Sequence, residues 1–116
     1  MDYIELLRRL AINDDALADE LEDSQPSDLE VDAKTLALAK VGALIAMGAA
    51  EPSFGSQVDA AVSAGATAKE IVHILIGVTS VVGFPRVVEA APKIAMALGH
   101  DLYDEDTGRI AGDARS

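Results

Sequence analysis

Cysteine and tryptophan are absent from the 116 residues of this chain, and only two Phe and two Tyr supply aromatic rings. Without a thiol, the protein can form no disulfide, no thiolate nucleophile and no cysteine-based metal site. With so few aromatic residues, the core must be built from Ala, Val, Leu and Ile, which favours closely packed helices. The length suits a single domain with a modest core.

Basic residues are also scarce, since nine Lys and Arg stand against 20 Asp and Glu and give a formal net charge of −11. Residues 1–32 hold eleven acidic and two basic residues, whereas residues 33–99 hold four and five. An acidic surface repels phosphate groups, so we expect neither nucleic-acid binding nor docking on anionic membranes. The clustered acids lack the spacing of a calcium loop, and the two histidines lack zinc spacing, so we predict no metal and no other cofactor.

Long hydrophobic runs are missing as well. The most apolar segment, from Ile71 to Val82, is shorter than the roughly 20 residues that a membrane span needs. The N-terminus shows no basic segment followed by an apolar stretch, so no signal peptide is visible and we expect a cytoplasmic location.

Helical spacing of apolar residues, together with capping signals, predicts an all-α fold. We expect an acidic helical extension and linker over residues 1–28, a helical core over 29–99, and an acidic, flexible tail over 100–116. The predicted core helices span residues 33–50, 56–64, 68–82 and 85–98. Pro92 should kink or split the last of these helices.

The clearest local signal is the capping box formed by Thr67 and Glu70. It follows Gly65, which suits the position just after a helix end. The helix that the box opens is apolar nearly all round, which is typical of burial on more than one side. In so small a domain, this pattern predicts a homo-oligomer.

Three segments of the chain resemble the core of the carboxymuconolactone decarboxylase family. They are Leu29-Glu30-Val31-Asp32-Ala33-Lys34-Thr35, Ala64-Gly65-Ala66-Thr67-Ala68-Lys69-Glu70-Ile71, and Val82-Gly83-Phe84-Pro85 with Glu89-Ala90 after it. The resemblance covers roughly residues 29–99 and implies an all-helical fold that assembles into rings, commonly trimers or hexamers. The family includes cofactor-free lactone decarboxylases and alkylhydroperoxidase D-like peroxidases.

The peroxidases of this family use a Cys-x-x-Cys pair followed by His, and the matching positions here look like Ala50, Ser53 and Gln57. Neither Ala nor Ser supplies a thiolate at neutral pH, so thiol peroxidase chemistry is excluded. The decarboxylase branch typically keeps a His at the position of Gln57, and Gln cannot carry a proton. An offset of one residue would move the match to Ser56, which does not restore a base.

Several polar residues remain as candidates for a site. Glu89 could act as acid or base while Arg86 anchors a substrate carboxylate, or the two could form an ordinary surface ion pair. His73 fits a polar position at the edge of its helix better than a catalytic base. Three further residues could line a pocket mouth or serve in caps and turns: Ser53, Ser56 and Gln57.

Two functions stay open at this point. The chain could be a non-catalytic subunit for small-molecule binding or assembly, which the missing cysteines and the missing His at the family position favour. Alternatively, it could be a cofactor-free lyase, decarboxylase or isomerase acting on a small organic acid or lactone. The deciding feature is whether Arg86 and Glu89 converge on an enclosed pocket, because an acid–base catalyst exposed to bulk solvent is a poor one.

Overall fold

The computed structural model of the chain describes residues 2–25, 28–100, 103–104 and 109–110. Its helices are α1 Tyr3–Ala11, α2 Asp15–Glu22, α3 Ala33–Met47, α4 Glu51–Ser63, α5 Ala68–Val82 and α6 Phe84–Ala97. This content confirms the predicted all-α class. Two short antiparallel strands, β1 Tyr103–Asp104 and β2 Arg109–Ile110, pair near the C-terminus. The rest of the predicted flexible tail, apart from His100, lies outside the described residues.

The chain divides into two compact units, Met1–Asp32 and Ala33–Ser116. In the first unit, Arg9 on α1 binds Asp14 at 2.8 Å and Glu20 at 3.1 Å, which ties α1 to α2. Asp14 also caps α2 by accepting from the backbone N–H of Ala16. The hydrogen bond from Arg9 lowers the pKa of the Asp14 carboxyl. Among the described residues of this unit Leu17 is buried, while no residue of α1 is buried.

The second unit is built from α3 to α6, and its core lies where these helices meet. Helix α3 packs against α4 and α5, and α6 packs against α4 and α5. Apolar residues spaced by about one turn on each helix supply the inward faces. The largest fully buried side chains are Phe54, Ile45, Ile71, Ile94, Val41 and Val58. None of the helices among the described residues is long and apolar enough to cross a membrane.

The turn between α3 and α4 is shorter than the sequence predicts. Helix α3 ends at Met47 instead of residue 50, and Gly48 follows with φ +66°. The N–H groups of Gly48 and Ala49 donate to the carbonyls of Ile45 and Leu44, a Schellman ending that requires a left-handed residue. Helix α4 then begins at Glu51, five residues before the predicted start, because Pro52 suits the first helical turn.

Helix α5 has the predicted bounds, and its capping box is confirmed. The Glu70 N–H donates to Thr67 Oγ1 at 3.1 Å, and the Thr67 N–H donates to Glu70 Oε1 at 2.9 Å. The expectation that Pro92 splits the last helix is wrong, because α6 runs from Phe84 to Ala97 through it. Buried Ala90 and Ile94 hold the helix in the core on both sides of this proline.

The Glu70 carboxylate makes the stability of the core unit dependent on pH. Lys34 on α3 binds it at 2.9 Å and, by this hydrogen bond, lowers the pKa of Glu70 below its ordinary value of 4.5. The unfolded chain therefore binds a proton at higher pH than the folded chain does, so stability rises with pH in this window. Glu70→Gln keeps an acceptor for the capping box but removes the charge. We expect the wild type to be more stable than this variant at pH 7, with the difference disappearing as the pH falls below 4.5.

Urea denaturation between pH 3 and pH 7 measures this difference. Lys34→Met is the matched control, because it removes the other half of the ion pair and should show the same loss at pH 7. A difference between wild type and Glu70→Gln that stays constant over the whole range would contradict the assigned role of the ion pair.

Candidate functional site

Three charged side chains lie along one face of α6, where they meet the turn between α3 and α4. Arg86 Nη1 is 3.8 Å from Glu89 Oε1, and Lys93 Nζ is 3.6 Å from the same oxygen. Lys93 also donates to the carbonyl oxygen of Ala49 at 2.9 Å. These three residues, the α6 cluster, follow the spacing of three and four that places side chains on one helical face.

The turn is shaped to let the α6 cluster approach it. A Cβ atom at Gly48 would overlap the Arg86 guanidinium and would lie 3.0 Å from Glu89 Oε1. A residue with a Cβ would be strained in this left-handed backbone conformation and would require the flexible end of Arg86 to shift. The turn also follows the carbonyl end of α3, where the helix dipole favours nearby cations.

The α6 cluster lies at the protein surface. The side chains of Arg86 and Glu89 are 47% and 46% exposed, and that of Lys93 is 26% exposed. Arg86 and Glu89 are thus close to each other without being enclosed in this chain. Their geometry matches a surface ion pair three residues apart, the simpler of the two interpretations that the sequence allowed.

Two cavities on this unit are lined by other residues. An open cleft of about 400 Å³ lies between Pro52 and Gly55 on α4 and Met96 on α6. An apolar groove of about 260 Å³ lies between Val72 and Leu75 on α5 and Leu98, just after α6. None of the six predicted site residues lines either cavity.

The other candidate residues lie on two different helices. Ser53 and Ser56 are exposed and Gln57 is half-buried in α4, and the Ser53 N–H donates to the Ala50 carbonyl in the first turn of that helix. His73 is exposed on α5. The described contacts of the α6 cluster are with Gly48 and Ala49, not with any of these four side chains.

Sequence reasoning missed Lys93 and Gly48. Lys93 follows Glu89 by four residues and Arg86 by seven, so helical spacing alone could have added it to the pair. The signal at Gly48 is weaker, because an interior glycine and a glycine that ends a helix look alike without the turn that follows. In the part of the chain that the structure describes, no three His, Cys, Asp or Glu side chains lie close enough together to hold a metal ion.

Comparison with known protein families matches residues 9–97 to the model of the Carboxymuconolactone decarboxylase family. This match begins in α1 and ends with the last residue of α6, so it includes the whole α3–α6 core and the α6 cluster. No curated protein and no solved structure matches the chain. Since the match spans most of the sequence, the chain belongs to the carboxymuconolactone decarboxylase family.

Proposed function

We propose that this protein is a non-catalytic member of its family that assembles with copies of itself and binds a small organic acid without transforming it. The observation that carries this proposal is the position of Glu89. Its side chain is 46% exposed and lies between two cations at the surface. A proton-transfer catalyst usually works in a cavity that excludes water and positions the substrate.

The α6 cluster suits the binding of a carboxylate. Arg86 lies 3.8 Å from Glu89, longer than the roughly 2.7–2.9 Å of a direct charge-assisted hydrogen bond. The planar guanidinium is therefore not clamped by Glu89 and can present its donors to a second carboxylate. Two cations around one carboxylate also make this spot locally positive, whereas the chain as a whole is acidic.

A cofactor-free lyase, decarboxylase or isomerase is the second candidate function. It is favoured by the placement of Arg86 and Glu89 on the same face of α6. A substrate whose carboxylate binds Arg86 would bring its neighbouring carbon close to the Glu89 carboxylate, which could then act as acid or base. The same geometry thus supports two functions, which differ in whether the bound acid is consumed.

Self-assembly is supported by apolar side chains that the protomer leaves in solvent. On α5, Ile76 is 66% exposed and Val81 is 85% exposed, and Phe84 at the start of α6 is 67% exposed. Such residues on neighbouring surfaces are typical of an interface. We propose a closed homo-oligomer, with a trimer or hexamer as the expected form from the family resemblance.

Thermal shift with a panel of small aliphatic and aromatic acids, and with neutral lactones, tests the binding function. We expect one or more acids to stabilise the wild type, by about 2.7 kcal/mol at a concentration of 100 times the dissociation constant. Arg86→Ala should lose this stabilisation. Arg8→Ala is the matched control, because Arg8 is also an exposed arginine paired with a glutamate three residues away.

The same acids, followed by NMR over hours with wild type and Glu89→Gln, separate the two candidate functions. Acids that bind and remain unchanged agree with the binding function. If the wild type consumes an acid and Glu89→Gln does not, the enzymatic function replaces the binding function. If the acids stabilise Arg86→Ala as much as they stabilise the wild type, the α6 cluster is not the binding site.

A further inference from the structure

The Arg86–Glu89 pair of the α6 cluster is open, unlike the Glu5–Arg8 pair on α1, which has the same spacing. Arg8 donates two hydrogen bonds to the Glu5 carboxylate, one of them from Nε to Oε2 at 3.1 Å. Between Arg86 and Glu89 the distance is 3.8 Å, and neither of these two side chains makes a hydrogen bond with another described residue. The donors of Arg86 and the oxygens of Glu89 are therefore both available to a ligand.

Contacts with the α3–α4 turn position the two cations beside Glu89. Lys93 is tied to this turn by its hydrogen bond to the Ala49 carbonyl, and the Arg86 guanidinium lies over Gly48. From these positions both cations approach the same oxygen, Oε1 of Glu89, at distances longer than a hydrogen bond. The other oxygen, Oε2, is thus the more open of the two.

A simple carboxylic acid satisfies only half of this arrangement. Its carboxylate, bound to Arg86, would lie near the Glu89 carboxylate, and two like charges at short range repel each other. A ligand with a cation next to its carboxylate replaces this repulsion with an attraction. In an α-amino acid, bonds of about 1.5 Å hold the ammonium nitrogen and the carboxylate oxygens about 3 Å apart. This separation is close to the 3.8 Å between Arg86 and Glu89, so both ends can be bound at once.

We infer that the ligand of the α6 cluster is an α-amino acid, whose carboxylate binds Arg86 and whose ammonium group donates to Glu89. This inference rests on the proposed binding of a small organic acid and narrows the class of ligand. It makes Glu89 the residue that determines specificity. An acid without an amino group brings its charge close to Glu89 with nothing to compensate for it.

The overall charge of the chain also favours a zwitterion. The formal charge of −11 repels anions at long range, so an organic acid approaches the α6 cluster against this field. An α-amino acid carries no net charge at neutral pH and is not repelled. Its two charged groups still meet opposite charges on Arg86 and Glu89 once it reaches the site.

Matched pairs of ligands test the inference by ligand-observed NMR titration at pH 7. The probes are L-valine with isovalerate, and L-phenylalanine with hydrocinnamate, and the members of each pair differ only in the amino group. We expect the wild type to bind the amino acid of at least one pair about fivefold more tightly than its partner acid. Fivefold corresponds to the upper end of what an exposed ion pair contributes.

Glu89→Gln should reduce this preference to about onefold. Glutamine keeps the size of the side chain and an acceptor oxygen, but it neither attracts the ammonium group by charge nor repels a carboxylate. Arg86→Ala should weaken binding of both members of the pair. Glu5→Gln is the matched control, because Glu5 is also a partly exposed glutamate that pairs with an arginine three residues away, and it should leave the preference unchanged.

The outcomes distinguish the ligand class from the proposed function. If the wild type binds the amino acid and its partner acid equally well, and Arg86→Ala weakens both, the ligand class is wrong while acid binding stands. A preference that persists in Glu89→Gln would show that the ammonium group does not bind Glu89, which also overturns the inference. If neither member of either pair binds in a way that depends on Arg86, the proposed function fails and the inference fails with it.

Discussion

We expect Phe54→Ala to lower the free energy of unfolding of the core unit by about 3–5 kcal/mol. Phe54 is fully buried in α4, in a core whose other large side chains are all aliphatic. The described residues that pack in this core with Phe54 are all aliphatic, so none of them has a ring that could fill the space, and most of the cavity should persist. Domains of this size have about 5–15 kcal/mol of stability in total, so the loss is a large part of it.

Urea denaturation followed by circular dichroism measures this loss, and Phe84→Ala is its control. Phe84 is the other phenylalanine of the chain and is 67% exposed. Its removal should change the stability of the dissociated protomer by no more than about 0.5 kcal/mol, as is usual for surface positions, so the variants are compared at a dilution at which the chain is monomeric. Equal losses in the two variants would show that the core is not organised around Phe54.

Gly48→Ala should lower the free energy of unfolding by about 1–2 kcal/mol and should also weaken acid binding. The stability loss follows from φ +66° at this residue, because L-residues with a Cβ are strained in the left-handed region. The weaker binding follows from the new Cβ, which requires the Arg86 guanidinium to move away from the turn. Both effects are readable in one thermal-shift experiment with and without the stabilising acid.

Gly65→Ala separates the effect of backbone strain from the effect of displacing the Arg86 side chain. Gly65 also ends a helix with positive φ, at +101°, but a Cβ there would meet nothing within 4 Å. This variant should therefore lose stability and keep acid binding. If Gly48→Ala binds the acid as well as the wild type does, Arg86 does not depend on the turn for its position, and the proposed site is not organised around Gly48.

Local signals in the sequence predicted helix ends well wherever a side chain or a single backbone conformation decides them. The capping box of Thr67 and Glu70 and the glycine at residue 65 place the start of α5 and the end of α4 close to where the structure has them. The prediction was wrong about the bounds of the α3–α4 turn and about a split at Pro92. At the turn, Gly48 ends α3 early and Pro52 lies in the first turn of α4, two local signals that the sequence analysis did not assign. At Pro92 the helix continues, and buried Ala90 and Ile94 hold it in the core.

The candidate site was predicted only in part. The pairing of Arg86 with Glu89 follows from their spacing, but its surface position does not, because exposure depends on how α6 packs on α4 and α5. The contribution of Gly48 and Ala49 could not be predicted either. These two residues precede Arg86 by more than thirty positions, and no periodic pattern within one helix connects them.

By itself, the sequence determined the chemistry that this protein lacks and the kind of secondary structure it forms. Without a cysteine no thiolate is available, and helix formation is governed by residues within about four positions of each other. Tertiary structure alone decided that Glu89 stays at the surface between two cations, that Gly48 makes room for Arg86, and that α5 leaves Ile76 and Val81 exposed in the protomer. The reason is physical: exposure and close approach are set by contacts between helices, and those contacts join residues that the sequence places far apart.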